Sequence, residues 1–291
     1  MKPPPFVYHR PRDVDEALDT LAEIGSDGKI LAGGQSLVPL MSMRLAAPAH
    51  LIDINRLSEL AGIRTGHDGV EVGAIVRHAQ LERDDAAFAT QPLLRQALQF
   101  VAHPTVRNRG TSVGSLAHAD PAGELTAVLA LLGGRMTLRS TDGERTVAAA
   151  DFFLGPLESA VKPTDLATSA FFPALAPRTG AAWTEVSRRN GDYAICGVGA
   201  LVTLDDDRRV ASAKVGLISV GPTPVVADLS EPLTGQPADA AVFDEAAQLI
   251  QDTLDPEPDI HATAEYRRHL AGVLTARALL EATNRAVEAT K

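Results

Sequence analysis

Two segments of this 291-residue chain combine glycine with hydroxyl-bearing residues, a composition that suits anion binding. The first segment (residues 29–37) passes from a short apolar run into Gly33-Gly34 and then into Gln35-Ser36. The second segment (residues 107–125) carries small residues at Gly110, Thr111, Ser112, Gly114, Ser115 and Ala117. Small residues let the backbone approach a ligand closely, and amides and hydroxyls can then donate to it. Together the two segments could hold the two phosphates of one dinucleotide.

Neither segment matches the commonest fingerprints for nucleotide phosphates. The second lacks the Lys-Ser/Thr ending of a P-loop, and neither has G-x-G-x-x-G spacing followed by an acidic residue. Clusters of glycine and serine also mark ordinary turns. Asp120-Pro121 precedes an apolar run, residues 125–132, which predicts a helix with Asp120 as its N-cap. The second segment is therefore predicted to be a loop that ends at a helix N-terminus.

Five blocks of sequence carry a resemblance to a known family. Two lie in the segments above: Ala32-Gly33-Gly34-Gln35-Ser36-Leu37, and residues 107–121 with the sequence Arg-Asn-Arg-Gly-Thr-Ser-Val-Gly-Ser-Leu-Ala-His-Ala-Asp-Pro. The others are residues 51–55 (Leu-Ile-Asp-Ile-Asn), 220–225 (Val-Gly-Pro-Thr-Pro-Val) and 264–270 (Ala-Glu-Tyr-Arg-Arg-His-Leu). In order and spacing they resemble the FAD-binding (medium) subunit of molybdenum hydroxylases. That family includes carbon monoxide dehydrogenase and the bacterial xanthine, nicotine and caffeine dehydrogenases.

The resemblance implies an FAD site on this chain. Residues 32–36 and 111–115 would contact the pyrophosphate and ribityl chain, Asp120 would accept hydrogen bonds from the ribityl or flavin, and Tyr193 would approach the flavin ring. The implied cofactor-binding residues are Lys29, Leu31, Ala32, Gly33, Gly34, Gln35, Ser36, Leu37, Thr111, Gly114, Ser115, Ala117, Asp120 and Tyr193. Lys29, Arg107 and Arg109 could add positive charge.

Three of these positions have alternative interpretations. Val113 stands where the family usually has glycine, and valine would be strained if that position took a positive φ. Asp120 could simply cap the following helix, and Tyr193 could be an ordinary half-buried packing residue.

The resemblance also implies partners. A large subunit would carry molybdopterin, a small subunit would carry two [2Fe-2S] clusters, and the enzyme would be a dimer of heterotrimers that reduces NAD or a quinone. The single cysteine, Cys196, excludes an internal disulfide and cannot supply the four ligands of a cluster. Two alternatives stay open: a flavin-free assembly or ligand-binding protein of the same fold, and a free-standing flavoprotein oxidoreductase.

The residues predict neither a catalytic side chain nor a metal site on this chain. The eight histidines show no H-E-x-x-H or H-x-x-H pattern, and no Ser-His-Asp or Cys-His arrangement is evident. A flavin carrier does not require one, because the cofactor performs the redox chemistry. Cys196 is expected to be a small buried hydrophobe.

Composition predicts an ordinary soluble globular protein, with 45% hydrophobic and 22% charged residues. The formal charge of -10 argues against a nucleic-acid partner, which needs a concentrated basic surface. The first residues lack the apolar core of a signal peptide, and no apolar run reaches the ~20 residues of a membrane span. The expected location is the cytoplasm.

Periodicity predicts an α+β fold in three pieces. A helix at residues 11–24, a strand ending near Ala32, a helix at 36–44 and a strand at 51–54 form a β-α-β unit. Further predicted strands cover residues 69–73, 137–140, 183–188, 200–204 and 210–220, and further helices cover 78–87, 93–101, 243–254 and 262–283. Residues 173–182 are the expected linker.

These pieces define the expected domains. Residues 1–175 would be an FAD-binding domain of the PCMH type, with subdomains of about 1–55 and 56–175. Residues 176–291 would be the C-terminal domain of the family, a small antiparallel sheet with helices.

Overall fold

The computed structural model describes residues 2–289. Met1, Thr290 and Lys291 lie outside the described residues, and with them the extreme ends of the two predicted domains. The chain begins with a parallel three-stranded sheet in the order β1-β3-β2. Its strands are β1 (Val7–His9), β2 (Gly28–Leu31) and β3 (His50–Asp53), and its helices are α1 (Val14–Ile24) and α2 (Leu37–Ser42), with a 3₁₀ turn at Gly25–Asp27. The predicted β-α-β unit is confirmed.

Helix α1 was predicted correctly because two local signals in its sequence agree. The carboxylate of Asp13 accepts a hydrogen bond of 2.9 Å from the backbone N–H of Glu16, as an N-cap does. Val14, Leu18 and Leu21 recur at helical spacing and are buried. Capping and burial therefore favour the same helix.

A five-stranded antiparallel sheet follows, in the order β4-β5-β10-β6-β7, with β8 and β9 forming a small separate hairpin. The strands are β4 (Ile63–Thr65), β5 (Gly69–Gly73), β6 (Arg135–Ser140), β7 (Gly143–Ala148), β8 (Phe153–Gly155), β9 (Glu158–Ser159) and β10 (Leu166–Pro173). The helices are α3 (His78–Arg83), α4 (Asp85–Thr90), α5 (Pro92–Leu98), α6 (Pro104–Arg107), α7 (Ser112–His118), α8 (Glu124–Leu131) and α9 (Ala149–Phe152), after a 3₁₀ turn at Ser58–Leu60.

The helix predicted at residues 78–87 is two helices. Asp84 ends α3, and its carboxylate accepts a 2.8 Å bond from the N–H of Ala87 as the N-cap of α4. An aspartate that caps the next helix interrupts the first, which periodicity alone did not reveal.

The C-terminal part is an antiparallel sheet in the order β11-β12-β13-β14, flanked by helices. The strands are β11 (Thr179–Ser187), β12 (Ala194–Leu204), β13 (Val210–Ile218) and β14 (Val225–Asp228), and the helices are α10 (Ser230–Leu233), α11 (Ala240–Thr253) and α12 (Ala264–Ala289). The predicted linker was too long, because Thr179 to Ala182 already belong to β11. The connection is residues 174–178.

The C-terminal sheet is buried on both faces. On one face α12 lies so close that a Cβ on Gly180 would be 1.8 Å from the carbonyl oxygen of Ala282. On the other face α8 packs against β13, where a Cβ on Gly216 would be 3.0 Å from the Cβ of Leu131. The N-terminal and C-terminal parts are therefore packed together, and their interface, where α8 meets β13, is called the seam below. Within residues 2–289, no helix is long and apolar enough to cross a membrane.

Candidate functional site

The first segment leaves the carboxyl end of β2 and turns into α2. Its turn, residues 32–36, contains Gly34 at φ +71°, a left-handed conformation that suits glycine. The N–H of Val38 donates to the carbonyl oxygen of Gly34 over 3.0 Å, and the Gln35 side chain donates to that of Gly33 over 3.2 Å. These bonds close the turn using carbonyl oxygens of the segment.

Four backbone donors of this turn are unused among residues 2–289. The N–H groups of Gly33, Gly34, Gln35 and Ser36 donate to no protein acceptor in that part of the chain. Successive unused N–H groups can together bind an anion. The first segment thus offers the donors that a phosphate needs.

The second segment is a helix where a loop was predicted. Ser112 to His118 form α7, and the hydroxyl of Thr111 caps it by accepting from the N–H of Gly114 over 3.2 Å. Upstream, Ser112 N–H donates to Val76 and His78 N–H donates to Gly110, so this strand-like stretch is fixed beside residues 76–78. Threonine capping and these tertiary bonds outweigh the loop-like composition of the segment.

Val113 fits this helix without strain. It is 2% exposed, lies inside α7 and does not have a positive φ. The buried face of α7 also includes Ser112 and Leu116, whereas Gly114, Ser115 and Ala117 lie on its half-exposed face. The site residues predicted within α7 therefore share its half-exposed face, and Val113 belongs to the buried one.

The two segments meet backbone to backbone. A Cβ added to Gly33 would lie 2.6 Å from the carbonyl oxygen of Arg109 and 2.9 Å from the backbone nitrogen of Thr111. One on Gly114 would lie 2.4 Å from Thr111 Oγ1 and 4.0 Å from the Cβ of Ala32. Glycine is therefore required at position 33, where the two backbones touch. The two segments in contact, residues 32–36 and 109–117, are called the cradle below.

A hydrogen-bond network that sequence reasoning missed joins the two segments. Asn55, just after β3, donates from Nδ2 to the carbonyl oxygen of Ala32 over 2.8 Å. Its Oδ1 accepts from Nη2 of Arg77 over 2.5 Å, and Nη1 of Arg77 donates to the carbonyl oxygen of Arg109 over 2.5 Å. The position of Asn55 at the carboxyl end of a parallel strand was an available signal. No local pattern identified Arg77.

The three predicted cations have different surroundings. Arg107 forms a salt bridge of 2.9 Å with Glu82 and donates to the carbonyl oxygens of Val101 and Ala102, so it is a structural residue. Lys29 is exposed on β2, and Arg109 is exposed beside the cradle; neither side chain forms a salt bridge within the described chain. Charge at the cradle therefore comes from Arg109 and the nearby Arg77. Burial, and then the charge of Arg109, lower the pKa of Arg77.

Asp120 does not cap α8, contrary to prediction. Its carboxylate accepts from the N–H of Ala122 over 2.9 Å, and α8 begins at Glu124 after Gly123. The left-handed Ala119, at φ 54°, has already turned the chain at the end of α7. Asp120 thus stabilises a turn between the two helices.

Tyr193 reaches the same region from the C-terminal part. Ser219 donates from its N–H to Pro121 over 2.9 Å and from its hydroxyl to Ala194 over 2.8 Å, linking the neighbours of Asp120 and Tyr193. Tyr193 is 70% exposed. Partial burial, and then the carboxylates of Asp120 and Glu124, raise the pKa of its hydroxyl. Tyr193 therefore lies near Asp120, across the contact between the N-terminal and C-terminal parts.

The seam also buries carboxyl groups. Burial, and then the charge of Glu185, raise the pKa of Glu124 to about 8. Burial raises the pKa of Glu185 to about 7, although the indole N–H of Trp183 donates to it over 3.3 Å. Neither glutamate forms a salt bridge in the part of the chain that is described. The sequence does not indicate that Glu124 and Glu185 are special, because their burial depends on the packing of the N-terminal part against the C-terminal part.

Cys196 is fully buried, as predicted, and burial raises the pKa of its thiol to about 12. Among residues 2–289, no group of three or more histidine, cysteine, aspartate or glutamate side chains is placed to hold a metal ion. The predicted site residues of the described chain thus fall into two groups, those of the cradle and the pair Asp120 and Tyr193.

Two known domain families match this chain, one over its N-terminal part and one over its C-terminal part. Residues 4–175 match the FAD binding domain in molybdopterin dehydrogenase, and residues 181–282 match the CO dehydrogenase flavoprotein C-terminal domain.

Relatives of known function match over nearly their whole length. The chain is 39% identical to the 6-hydroxypseudooxynicotine dehydrogenase complex subunit alpha of Paenarthrobacter nicotinovorans, over 98% of this chain and 97% of that protein. It is 38% identical to the caffeine dehydrogenase subunit beta of a Pseudomonas species, over 99% of this chain and 98% of that protein. Among solved structures, a carbon monoxide dehydrogenase of Hydrogenophaga pseudoflava gives a TM-score of 0.93 at 36% identity, covering 98% of this chain and 99% of that one. Quinoline 2-oxidoreductase of Pseudomonas putida also gives 0.93, at 35% identity over 98% and 99%.

Proposed function

This chain belongs to the family of FAD-binding medium subunits of molybdenum hydroxylases, and from that premise we propose that it carries electrons from [2Fe-2S] clusters on a partner subunit, through FAD, to an external acceptor. Its FAD-binding domain and its place among the oxidoreductases follow from the family. When bound, FAD supplies the redox chemistry. The residues of this chain bind and orient it.

The observation that carries this proposal is the backbone contact between Gly33 and the Arg109–Thr111 stretch, beside four unused N–H groups. A pyrophosphate needs many donors at close range, and backbone amides can provide them without lysine. We propose these cofactor-binding residues: Lys29, Leu31, Ala32, Gly33, Gly34, Gln35, Ser36, Leu37, Thr111, Gly114, Ser115, Ala117, Asp120 and Tyr193.

Asp120 and Tyr193 have distinct roles in this proposal. Asp120 accepts hydrogen bonds from the ribityl chain or the flavin. Tyr193 lies against the ring from the C-terminal part and shields it from water. Their connection through Ser219 supports the roles, because it fixes the distance between the two backbones.

The proposed partners are a large subunit with molybdopterin and a small subunit with two [2Fe-2S] clusters, in a dimer of heterotrimers. One cysteine on this chain leaves cluster ligation to another chain. The relatives are named for a nicotine derivative, caffeine and carbon monoxide, yet share this subunit. Such variety supports a substrate site on the large subunit.

The proposal extends to the acceptor, the location and the domains. The proposed acceptor is NAD or a quinone. The proposed location is the cytoplasm, because a chain with one cysteine forms no internal disulfide and needs no oxidising compartment. The domains are 1–175, with subdomains 1–55 and 56–175, and 176–291. The family matches at 4–175 and 181–282 support that division.

The test is purification of this chain from its native host under mild conditions, with flavin, iron and molybdenum measured on one sample. We expect all three in constant ratio, and flavin bleaching when a substrate reduces the complex. Adding NAD or a quinone should then restore the oxidised flavin spectrum. Flavin without metals would instead indicate a free-standing flavoprotein, and the absence of flavin would indicate an assembly role.

A further inference from the structure

We propose that Asn55 and Arg77 form a clamp that fixes the spacing of the two segments and aims the backbone donors of the first one at the FAD pyrophosphate. The clamp rests on the proposed FAD site. Its two residues are positioning residues, since their bonds are made to the protein backbone.

Asn55 forms the half of the clamp that contacts the first segment. Its Nδ2 donates to Ala32 over 2.8 Å and to Leu31 over 3.3 Å, both at carbonyl oxygens. Asp53 Oδ1 also accepts from Nδ2, over 2.7 Å, and from the Asn55 N–H, over 2.9 Å, which fixes the amide. The side chain must donate at one end and accept at the other, so an amide is required.

Arg77 forms the half that contacts the second segment. One guanidinium nitrogen donates to Oδ1 of Asn55 and another to the carbonyl oxygen of Arg109, each over 2.5 Å. Arg77 forms no salt bridge to any described residue. Its two donors therefore serve the bridge between the segments, and they lie on separate nitrogens in a fixed plane, a geometry that the single nitrogen of an ammonium does not reproduce.

The clamp orients Gly33. In a trans peptide unit the C=O and N–H point in opposite directions. The carbonyl oxygen of Ala32 is bonded to Asn55, so the N–H of Gly33, in the same peptide unit, points away from the clamp. That N–H has no acceptor within residues 2–289, and the same holds for the next three residues. The clamp thus holds one face of the turn and leaves the donors on the other.

The clamp also keeps Gly33 at its contact distance from Arg109. If the segments separated, the donors would no longer converge on one pyrophosphate. Hydrogen bonds to charged groups are each worth about 1.5–3 kcal/mol, which corresponds to about a tenfold to hundredfold change in an equilibrium constant.

The test uses the full chain, freed of flavin and titrated with FAD. Asn55→Ala, Arg77→Gln and Arg77→Lys should each raise the Kd about tenfold to a hundredfold. In the double variant the effects should not add, because both residues belong to one network. The visible spectrum of flavin that does bind should match wild type, because the clamp acts on the pyrophosphate end. Arg64→Ala is the control, since Arg64 is an exposed partner of Glu71 on the neighbouring sheet and should leave the Kd unchanged.

Four outcomes would overturn the clamp. If Arg77→Lys binds FAD like wild type, only charge matters at that position. If all the variants bind FAD like wild type, the network has no role. A fall in the melting temperature of the flavin-free chain with an unchanged Kd would show a purely structural role, and this readout also serves for any variant that folds poorly. A wild-type chain that never binds FAD would overturn the proposed site itself, and the clamp with it.

Discussion

The position that a Cβ on Gly33 would take lies 2.7 Å from the Cα of Gly110. Backbone atoms surround it, so no flexible side chain can move aside. We expect Gly33→Ala to separate the two segments and to raise the Kd for FAD about fivefold to 150-fold, because forced overpacking costs about 1–3 kcal/mol. Flavin fluorescence during titration of the flavin-free chain measures this.

Gly62→Ala is the matched control for that substitution. A Cβ on Gly62 would have no atom within 4 Å of it, and Gly62 does not have a positive φ, so alanine fits there. Its Kd for FAD should equal that of wild type. An unchanged Kd in Gly33→Ala as well would mean that the cradle is misassigned.

Val113→Gly should destabilise the protein. Val113 is 2% exposed within α7, so glycine removes a buried side chain and adds helix-interior glycine. The two effects together cost about 2–4 kcal/mol. Urea unfolding of the flavin-free chain decides the matter, and equal midpoints for variant and wild type would contradict the packing argument.

Sequence reasoning succeeded where local signals agreed. Asp13 caps α1 and the apolar residues of that helix follow one face, so capping and periodicity gave one answer. Strand β5 matches its predicted range because Gly69 and Gly73 bound an alternating run. The family blocks likewise identified both segments of the cradle.

It failed where distant parts of the chain decide the conformation. Glycine, serine and threonine in the second segment indicate a loop, yet bonds to Val76 and His78 and the Thr111 cap produce a helix. Arg77 and Asn55 are 22 positions apart and meet only because β3 and α3 are neighbours of the cradle. Such contacts leave no periodic trace in the sequence.

Stability should fall as pH rises, because of Glu124. Its pKa of about 8 in the folded chain lies above the ordinary carboxyl value of 4.5, so the folded state binds the proton more tightly than the unfolded state. This contribution is complete below pH 4.5 and is lost as pH rises through 8. Each pH unit in that window costs up to about 1.4 kcal/mol. Glu124→Gln should flatten the dependence of the unfolding free energy on pH.

The pH range of that experiment matters because of His78. Burial lowers the pKa of His78 to about 4, so its contribution to stability is lost as pH falls below 6.5. Urea titrations between pH 6.5 and 8 therefore isolate the carboxyls, because the thiol of Cys196, whose pKa burial raises from 9.0, affects stability only at higher pH. Glu245→Gln, at an exposed position on α11, is the control and should keep the wild-type slope. In Glu124→Gln, the unfolding free energy should still depend weakly on pH, because Glu185 remains. If its dependence on pH equalled that of wild type, the assignment to Glu124 would be wrong.

Tyr193→Ala should separate a role at the flavin from a role in folding. Tyr193 is 70% exposed, so its loss should change the unfolding free energy of the flavin-free chain by no more than about 0.5 kcal/mol. With FAD bound, removal of an aromatic ring that lies against the flavin should shift the flavin absorption bands and raise its fluorescence. Tyr193→Phe keeps the ring and should resemble wild type. Tyr266→Ala, at an exposed position on α12, controls for loss of a tyrosine. Identical flavin spectra for Tyr193→Ala and wild type would remove Tyr193 from the site and leave the cradle and Asp120 as its assigned parts.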